Sequence, residues 1–349
     1  MAESESREVV GVIGAGSFGT AIANLLAHNV DVCLFSRQPQ LVETINTTRR
    51  NQGVDLSPRI QATSDLEELA RKCTLIFPIV PSSGFREMIL NLTPFLEPSH
   101  ILIHGTKGFD FNQSDKGNNQ DKSITRADVH TMSEVILQET VVVRVGCLSG
   151  PNLAIEIMEG QPTATVIGSK FNEVIREGKR VLGSKHFHVF GTHDILGAEL
   201  AGALKNTIAI GSGILRGRGM GKNLQAMLIT RGLIEMIYFG KAMGATSTAF
   251  FGTAGVGDLV ATATSKNSRN FTFGYRLGQG EDKETILKTM PERAEGVRTL
   301  EIIYQLAKYY KLRVPITQML YNVVFEDFDI ERAIDYLITY PYDVDVDFL

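Results

Sequence analysis

The sequence predicts an α/β fold, with an N-terminal doubly wound parallel sheet over residues 1–191 and an all-helical C-terminal domain over residues 192–349. Three observations predict it. Short apolar runs alternate with helical periods through the first half of the chain, the pattern of strand–helix–strand units with helices on both faces of a sheet. The first unit turns on Gly14, Gly16 and Gly19, a G-x-G-x-x-G spacing set between an apolar strand and an alanine-rich helix. There the first glycine permits a tight turn, the second lets a pyrophosphate approach the backbone, and the third lets helix pack on strand. From Asp194 onward the apolar period is helical only, and 349 residues exceed one ordinary core.

Val9 to Ile13 reads as the first strand, and the helix after the turn runs through Ala27. Val30 to Phe35 is the second strand and ends at Ser36-Arg37. Ile60 to Thr63 is the next, and Ser64-Asp65-Leu66-Glu67 opens a helix as a capping box. Cys73 to Val80 is a nearly continuous apolar run, as expected of a strand covered on both faces, and Pro81-Ser82-Ser83 breaks it to open another helix. His100 to His104 is a strand leading into Gly105-Thr106-Lys107-Gly108-Phe109. Asp110 to Asp128 interrupts the alternation with a polar stretch that cannot pack a core and reads as a mobile surface insertion rather than a lid. Val141 to Leu148, Ala164 to Gly168 and His186 to Phe190 complete the strands, with a helix from Phe171 to about Leu182. Helical periods then cover Leu196 to Ile210, Leu224 to Met243, the surroundings of Leu259, Phe271 to Leu277, Val297 to Ala307 and Ile316 to Phe325. Gly211 to Asn223, glycine-rich and basic, reads as an interhelical turn, and Tyr342 to Asp347 as an acidic tail.

Hydrophobic residues at 43% and charged residues at 21% describe a soluble globular chain, and a net charge of −4 provides no general field for nucleic acid. No uncharged apolar run approaches the ~20 residues that span a bilayer, and the polar, acidic N-terminus lacks the apolar core of a signal peptide. Neither nucleic acid nor a membrane is expected as a partner. Cys33, Cys73 and Cys147 sit singly in apolar runs, so buried reduced thiols and a cytoplasmic location are expected. The seven histidines lack metal-ligand spacing, and no metal is expected.

Ligands of doubly wound sheets gather at the carboxyl ends of the strands, which brings Gly14 to Gly19, Arg37, the Val80-Pro81 turn and Lys107 to one edge. Where an acidic residue would bind both ribose hydroxyls the chain has Ser36-Arg37. A guanidinium there suits a 2′-phosphate, so NAD or NADP is expected with NADP slightly favoured; a solvated arginine is the alternative. Lys205 has Ala201, Gly202, Ile208 and Ala209 as its helical neighbours, a small and apolar face. Burial there would lower its pKa toward what proton transfer needs, while a snorkelling lysine at a domain boundary is the plainer reading. Asp258 fits an N-cap, with Thr262 on the same face. Arg269, between Ser268 and Asn270, reads as a loop arginine suited to an oxyanion or phosphate, or else as an ordinary surface arginine.

Taken together, Gly14-Ala15-Gly16-Ser17-Phe18-Gly19-Thr20, Gly105-Thr106-Lys107-Gly108, Ser149-Gly150-Pro151-Asn152, Ala203-Leu204-Lys205-Asn206, Gly257-Asp258-Leu259, Ser268-Arg269-Asn270 and Glu295-Gly296 resemble the cytosolic glycerol-3-phosphate dehydrogenases, most closely the bacterial type that accepts NAD or NADP. The resemblance runs from Gly11 to about Tyr321 and implies a Rossmann-like N-terminal domain. It implies that Lys205 is the proton donor and acceptor at the substrate's secondary alcohol or ketone, with Lys107 close to both nicotinamide and substrate as an electrostatic partner of the carbonyl oxygen. Asn206, Asp258 and Thr262 would orient that lysine. Ser268, Arg269 and Asn270 would bind the substrate phosphate, with Arg269 also near the cofactor pyrophosphate. Gly150, Asn152 and Ala154 match substrate- and cofactor-contacting positions, and Glu295 a cofactor contact. The chain departs from the family in its longer polar insertion, in Asn152 where many members have Ser or Thr, and in the basic Arg216-Gly217-Arg218.

The reaction the resemblance implies is reversible NAD(P)H-dependent reduction of dihydroxyacetone phosphate to sn-glycerol 3-phosphate by a homodimer, supplying glycerophospholipid synthesis. Two other readings stay open: a related hydroxyacid dehydrogenase acting on a carboxylate substrate, and a non-catalytic dinucleotide sensor whose helical domain binds a protein.

Overall fold

The structure, a computed structural model, describes residues 8–111 and 124–341. Its main sheet consists of β1 Val9–Ile13, β2 Asp31–Phe35, β3 Ile60–Thr63, β4 Leu75–Pro78, β5 Ile101–His104, β6 Arg144–Ser149, β7 Thr163–Ser169 and β8 Phe187–Thr192. Their order across the sheet is β8-β7-β6-β5-β4-β1-β2-β3. The chain leaves β1 in one direction for β2 and β3 and returns to its other side for β4 and β5. That topological switch is where open α/β sheets leave a crevice for ligand.

Among the described residues seven α-helices accompany these strands: α1 Ser17–Leu26, α2 Pro39–Thr48, α3 Leu66–Lys72, α4 Phe85–Leu92, α5 Met132–Glu139, α6 Ala154–Met158 and α7 Asn172–Leu182. The strand period of two puts Val10, Val12, Leu34 and Phe77 on the face covered by α1 and α7. Ile13, Cys33, Ile76 and Leu102 face the other way, against α3, α4 and α5. Neighbouring Ile76 and Phe77 are both 0% exposed, so the sheet is covered on both sides. Cys33, Cys73 and Cys147 are buried and unbridged.

Two expectations are corrected in this half. The sheet is not wholly parallel: β6 and β7 pair antiparallel, Gly146 opposite Ser169. Between them lies only the five-residue α6. At 1.5 Å per residue it is too short to carry the chain back along a strand that rises more than 3 Å per residue. The helix at residues 64–67 is not entered through a Ser64 capping box; Asp65 is its N-cap and accepts from Glu67 N and Glu68 N at 2.8 and 3.1 Å.

The helical half contains α8 Ile195–Gly217, α9 Lys222–Ala242, α10 Thr248–Phe251, α11 Asp258–Thr264, α12 Arg269–Gly278, α13 Lys283–Thr289, α14 Glu295–Tyr310, α15 Pro315–Phe325 and α16 Ile330–Thr339. The run from Gly211 to Asn223 is not a turn for most of its length, because α8 continues through Gly217. Helices α10, α13 and α16 have no counterpart among the elements expected from periodicity. By their contacts the described residues divide into two compact units, 8–106 with 132–195, and 107–111 with 124–131 and 196–341. Phe109, Ile124 and Val129 explain the excursion, since they are buried in the core of the helical unit. Asp110–Phe111 and Val129–His130 pair as a short antiparallel ribbon at its base. The rest of the polar insertion, 112–123, and the acidic tail lie outside the described residues.

Among the described residues no helix is long and apolar enough to cross a membrane. Inside the helical unit Glu235, 4% exposed, accepts from Ile316 N, Thr317 N and Thr317 Oγ1 at 2.6, 2.9 and 2.7 Å, clamping α9 to the start of α15. Burial pushes its carboxyl up to about 7 against the pull of those three donors. A carboxyl harder to ionise in the folded state than at its ordinary ~4.3 stabilises fully below that value and loses the contribution as pH rises through about 7. Stability measured by urea unfolding is expected to fall from about pH 5 to 8. Glu235→Gln should lose about 1–3 kcal/mol at the acid end and show no such slope. An equal slope in the variant would assign the pH dependence to other groups.

Candidate active site

The turn after β1 meets three separate steric demands with three glycines. Gly14 has φ +117°, and a Cβ there would stand 2.0 Å from Ile79 O. A Cβ on Gly19 would stand 1.8 Å from Gly14 O, so only glycine lets α1 close on the strand end. Gly16 is the opposite case: none of the described atoms lies within 4 Å of where its Cβ would be. The loop is braced from behind by Asn51, 7% exposed, which donates to Ala15 O and Thr20 Oγ1, both at 2.8 Å. No described side chain caps α1, and its first turn holds no acidic residue, so the partial positive charge of its N-terminus is left for an anion. Ser17 and Phe18 open that helix. A Cβ on Gly105 would lie 3.0 Å from Phe18 Cε1, so the end of β5 comes against the same turn. The open ground at Gly16 and the uncapped helix end fit the pyrophosphate of NAD or NADP. Arg37 stands exposed just past β2, with no ion pair among the described residues, while Ser36 is buried and its Oγ accepts from Gln38 N at 3.2 Å.

Gly150, Asn152 and Ala154 lie together at the end of β6. Gly150 has φ +129°, and the Asn152 Nδ2 donates to Thr165 Oγ1 at 2.8 Å, which in turn donates to Ser149 O at 2.9 Å. Asn152 Oδ1 is buried without a hydrogen-bond partner among the described residues. Ala154 begins α6.

In the helical unit Lys205, Asp258, Thr262 and Lys107 converge. Lys205 is 4% exposed and Asp258 1%. The Lys205 ammonium donates to Asp258 Oδ1 and to Thr262 Oγ1, whose hydroxyl reaches Asp258 Oδ1 at 3.2 Å. The other carboxylate oxygen accepts from Lys107 Nζ at 2.7 Å. Asp258 is therefore not the N-cap expected of it. It is the first residue of α11 with its side chain turned onto two ammonium groups, and a π-type turn over Thr253–Gly257 brings it there. Burial pulls the Lys205 ammonium down to about 7; the Asp258 charge pulls it back up, and the Lys107 charge pushes it further down. An amine buried but still hydrogen-bonded, with a pKa near neutrality, can give and take a proton at working pH.

The Ser268-Arg269-Asn270 stretch is a helix start rather than a loop. Ser268 is the N-cap of α12, accepting from Phe271 N at 3.3 Å, and Arg269 is the first helical residue, half-exposed and paired with Glu292 at 2.6 Å. Asn270 Oδ1 accepts from Gly296 N at 2.8 Å, so it caps α14 from outside and leaves the Asn270 amide N–H₂ as a donor. A Cβ on Gly296 would come 2.7 Å from Asn206 O and 2.8 Å from Asn270 Oδ1, which explains a glycine after Glu295. Asn206, the neighbour of Lys205, is thereby drawn to the same place. Among the described residues no group of His, Cys, Asp and Glu could hold a metal ion.

Sequence reasoning missed Asn51, whose partners lie more than thirty positions away, and it missed what the glycines of α8 do. A Cβ on Gly213 would stand 2.1 Å from Phe271 O, and one on Gly217 2.3 Å from Tyr275 O. From α12, a Cβ on Gly274 would stand 2.0 Å from Ile210 O and one on Gly278 2.4 Å from Ile214 O. Two G-x-x-x-G faces thus pack backbone to backbone, seating the helix capped by Ser268 on the helix that carries Lys205. The repeated spacing Gly213/Gly217 and Gly274/Gly278 is the signal that could have revealed it.

Comparison with known proteins gives a consistent result. Residues 9–175 match the family described as NAD-dependent glycerol-3-phosphate dehydrogenase N-terminus, and residues 194–335 the corresponding C-terminus. A glycerol-3-phosphate dehydrogenase [NAD(P)+] of Geobacter metallireducens is 39% identical over 95% of this chain and 97% of its own length. One from Azotobacter vinelandii is also 39% identical, over 99% and 98%. The crystal structure of a Coxiella burnetii glycerol-3-phosphate dehydrogenase, 30% identical, superposes with a TM-score of 0.86 over 95% of this chain and 99% of that one.

Proposed function

Because this chain belongs to the NAD-dependent glycerol-3-phosphate dehydrogenase family, we propose that Lys205 is the group that exchanges a proton with the substrate oxygen. The reaction is the reversible reduction of dihydroxyacetone phosphate to glycerol 3-phosphate, and the chain is an oxidoreductase acting on CH–OH with NAD or NADP. When bound, the nicotinamide would supply or accept the hydride at the central carbon. As that carbon gains hydride, its oxygen takes a proton from the Lys205 ammonium, and water restores the lysine. The observation that carries this reading is the burial of Lys205 on Asp258 and Thr262, with its ammonium pulled down to about 7.

In this proposal Asp258 and Thr262 fix the direction of the Lys205 Nζ, and Asn206 supports it from the same helix. Lys107 balances the second Asp258 oxygen and places a cation for the carbonyl oxygen. The guanidinium of Arg269, with Ser268 and the amide of Asn270, receives the substrate phosphate. That end does not react, so its binding energy serves orientation. Gly150, Asn152, Ala154 and Glu295 complete the contacts to substrate and cofactor. The sheet-containing unit binds the dinucleotide and the helical unit the substrate. Homodimerisation, a cytoplasmic location and the supply of glycerophospholipid synthesis belong to the same proposal. Steady-state oxidation of NADH and NADPH with dihydroxyacetone phosphate and with carboxylate keto acids tests it; turnover confined to a keto acid would overturn it.

Arg37 carries the proposed tolerance of NADP. Arg37→Asp would set a carboxylate against the 2′-phosphate, and it is expected to raise KM for NADPH at least ~10-fold more than KM for NADH. A variant that weakens both cofactors equally would leave Arg37 as a solvated surface residue.

A further inference from the structure

We propose that Ser212 and Gln225 are positioning residues for the Lys205 site, acting through the carbonyl of Ala263. This rests on the reading of Lys205 as the proton-transfer group. Helix α11 is short, and its last carbonyls have no partner within the helix. Ala263 O accepts instead from Ser212 Oγ at 2.5 Å and from Gln225 Nε2 at 3.2 Å, and Gln225 Nε2 also donates to Ser212 Oγ at 2.7 Å. Ser212 is 0% exposed and Gln225 2%, so the latch is closed to water.

Its place in the helices gives the latch its consequence. Ser212 lies two turns beyond Lys205 on the same face of α8. Helix α8 therefore grips α11 twice, once where Lys205 meets Asp258 and Thr262, and again at Ala263, the residue after Thr262. The held carbonyl also stands just before the turn that opens α12 at Ser268. Fixing it sets the end of α11 between the lysine-holding residues and the expected phosphate-binding ones. Gln225 achieves this while its own Oε1 stays buried without a hydrogen-bond partner among the described residues. A buried amide left half-satisfied is a poor source of net stability, which fits a positioning role better than a purely structural one.

The test uses Ser212→Ala and Gln225→Met in the full chain, with Lys205→Ala assayed beside them. Each of the first two is expected to lower kcat for dihydroxyacetone phosphate about tenfold and to move the pH limb of kcat by at least half a unit. Ser212→Thr, which keeps the hydroxyl, should restore both. Should Ser212→Ala not fold, Gln225→Met carries the same expectation. A purely structural latch would lower the melting temperature and leave the pH limb in place. If Lys205→Ala is slow while Ser212→Ala and Gln225→Met keep the wild-type kcat and pH limb, the positioning role is overturned alone. If Lys205→Ala turns over at the wild-type rate, the lysine reading falls, and the positioning role falls with it.

Discussion

Lys205→Ala is expected to lower kcat for dihydroxyacetone phosphate reduction at least ~10²-fold, while dinucleotide binding followed by fluorescence stays near wild type. The loss is expected to be specific to proton transfer, because the proposal gives phosphate recognition to Ser268, Arg269 and Asn270. Lys205→Met, closer in volume, separates the missing proton from the missing packing. The sign of the pH dependence follows from the same group. In the proposed mechanism reduction draws on the Lys205 ammonium, and burial pulls that ammonium down to about 7, so kcat for reduction should decline as pH rises through that value. Oxidation of glycerol 3-phosphate needs the neutral amine and should rise over the same range. Both limbs should be absent from the alanine variant. A Lys205→Ala enzyme with near-normal turnover would show that another group delivers the proton.

Gly274→Ala should be among the most damaging single-methyl additions available in the helical unit. Its Cβ would stand 2.0 Å from Ile210 O, a backbone atom in the middle of α8 that cannot swing aside as a side-chain tip can. Overpacking a tight contact costs about 1–3 kcal/mol, and a backbone–backbone contact belongs at the upper end. A fall in the thermal midpoint of several degrees is expected. The separation of α8 and α12 would also shift Ser268, Arg269 and Asn270, so KM for dihydroxyacetone phosphate should rise more than kcat falls. A variant with unchanged melting temperature and KM would mean that the two glycine faces can part without consequence.

What was legible in the chain was whatever a local pattern encodes. Apolar runs such as Leu75–Pro78 declared strands, because a strand covered on both faces has no polar positions to confuse the reading. Strand direction was not legible at β6 and β7, since a fully buried run carries the same composition either way. It depended on the shortness of α6. Lys205 was suspect from its small, apolar helical neighbours. Its partners were not visible from geometry, because Lys107 and Asp258 are separated by 151 positions and meet only through folding. Asp258 carried a strong local signal, residue type at a helix start, that pointed to a cap; burial and two ammonium groups overrode it. Gly211 to Asn223 misled for a related reason. Glycine usually marks turns, yet Gly213 and Gly217 lie inside a helix where close approach of another backbone outweighs their poor helix propensity.

The placement of residues 107–111 and 124–131 with the helical unit bears on how the chain can be divided in the laboratory. A fragment beginning at residue 192 would contain Lys205, Asp258 and Thr262 but would lack Lys107. It would also lack Phe109, Ile124 and Val129, leaving holes in the core those three side chains fill. Its buried carboxylate would face one ammonium in place of two. Restoring residues 107–131 as a separate peptide would return both the missing cation and the missing apolar side chains. Complementation between the two pieces, rather than autonomous folding of the C-terminal one, is the behaviour this architecture implies.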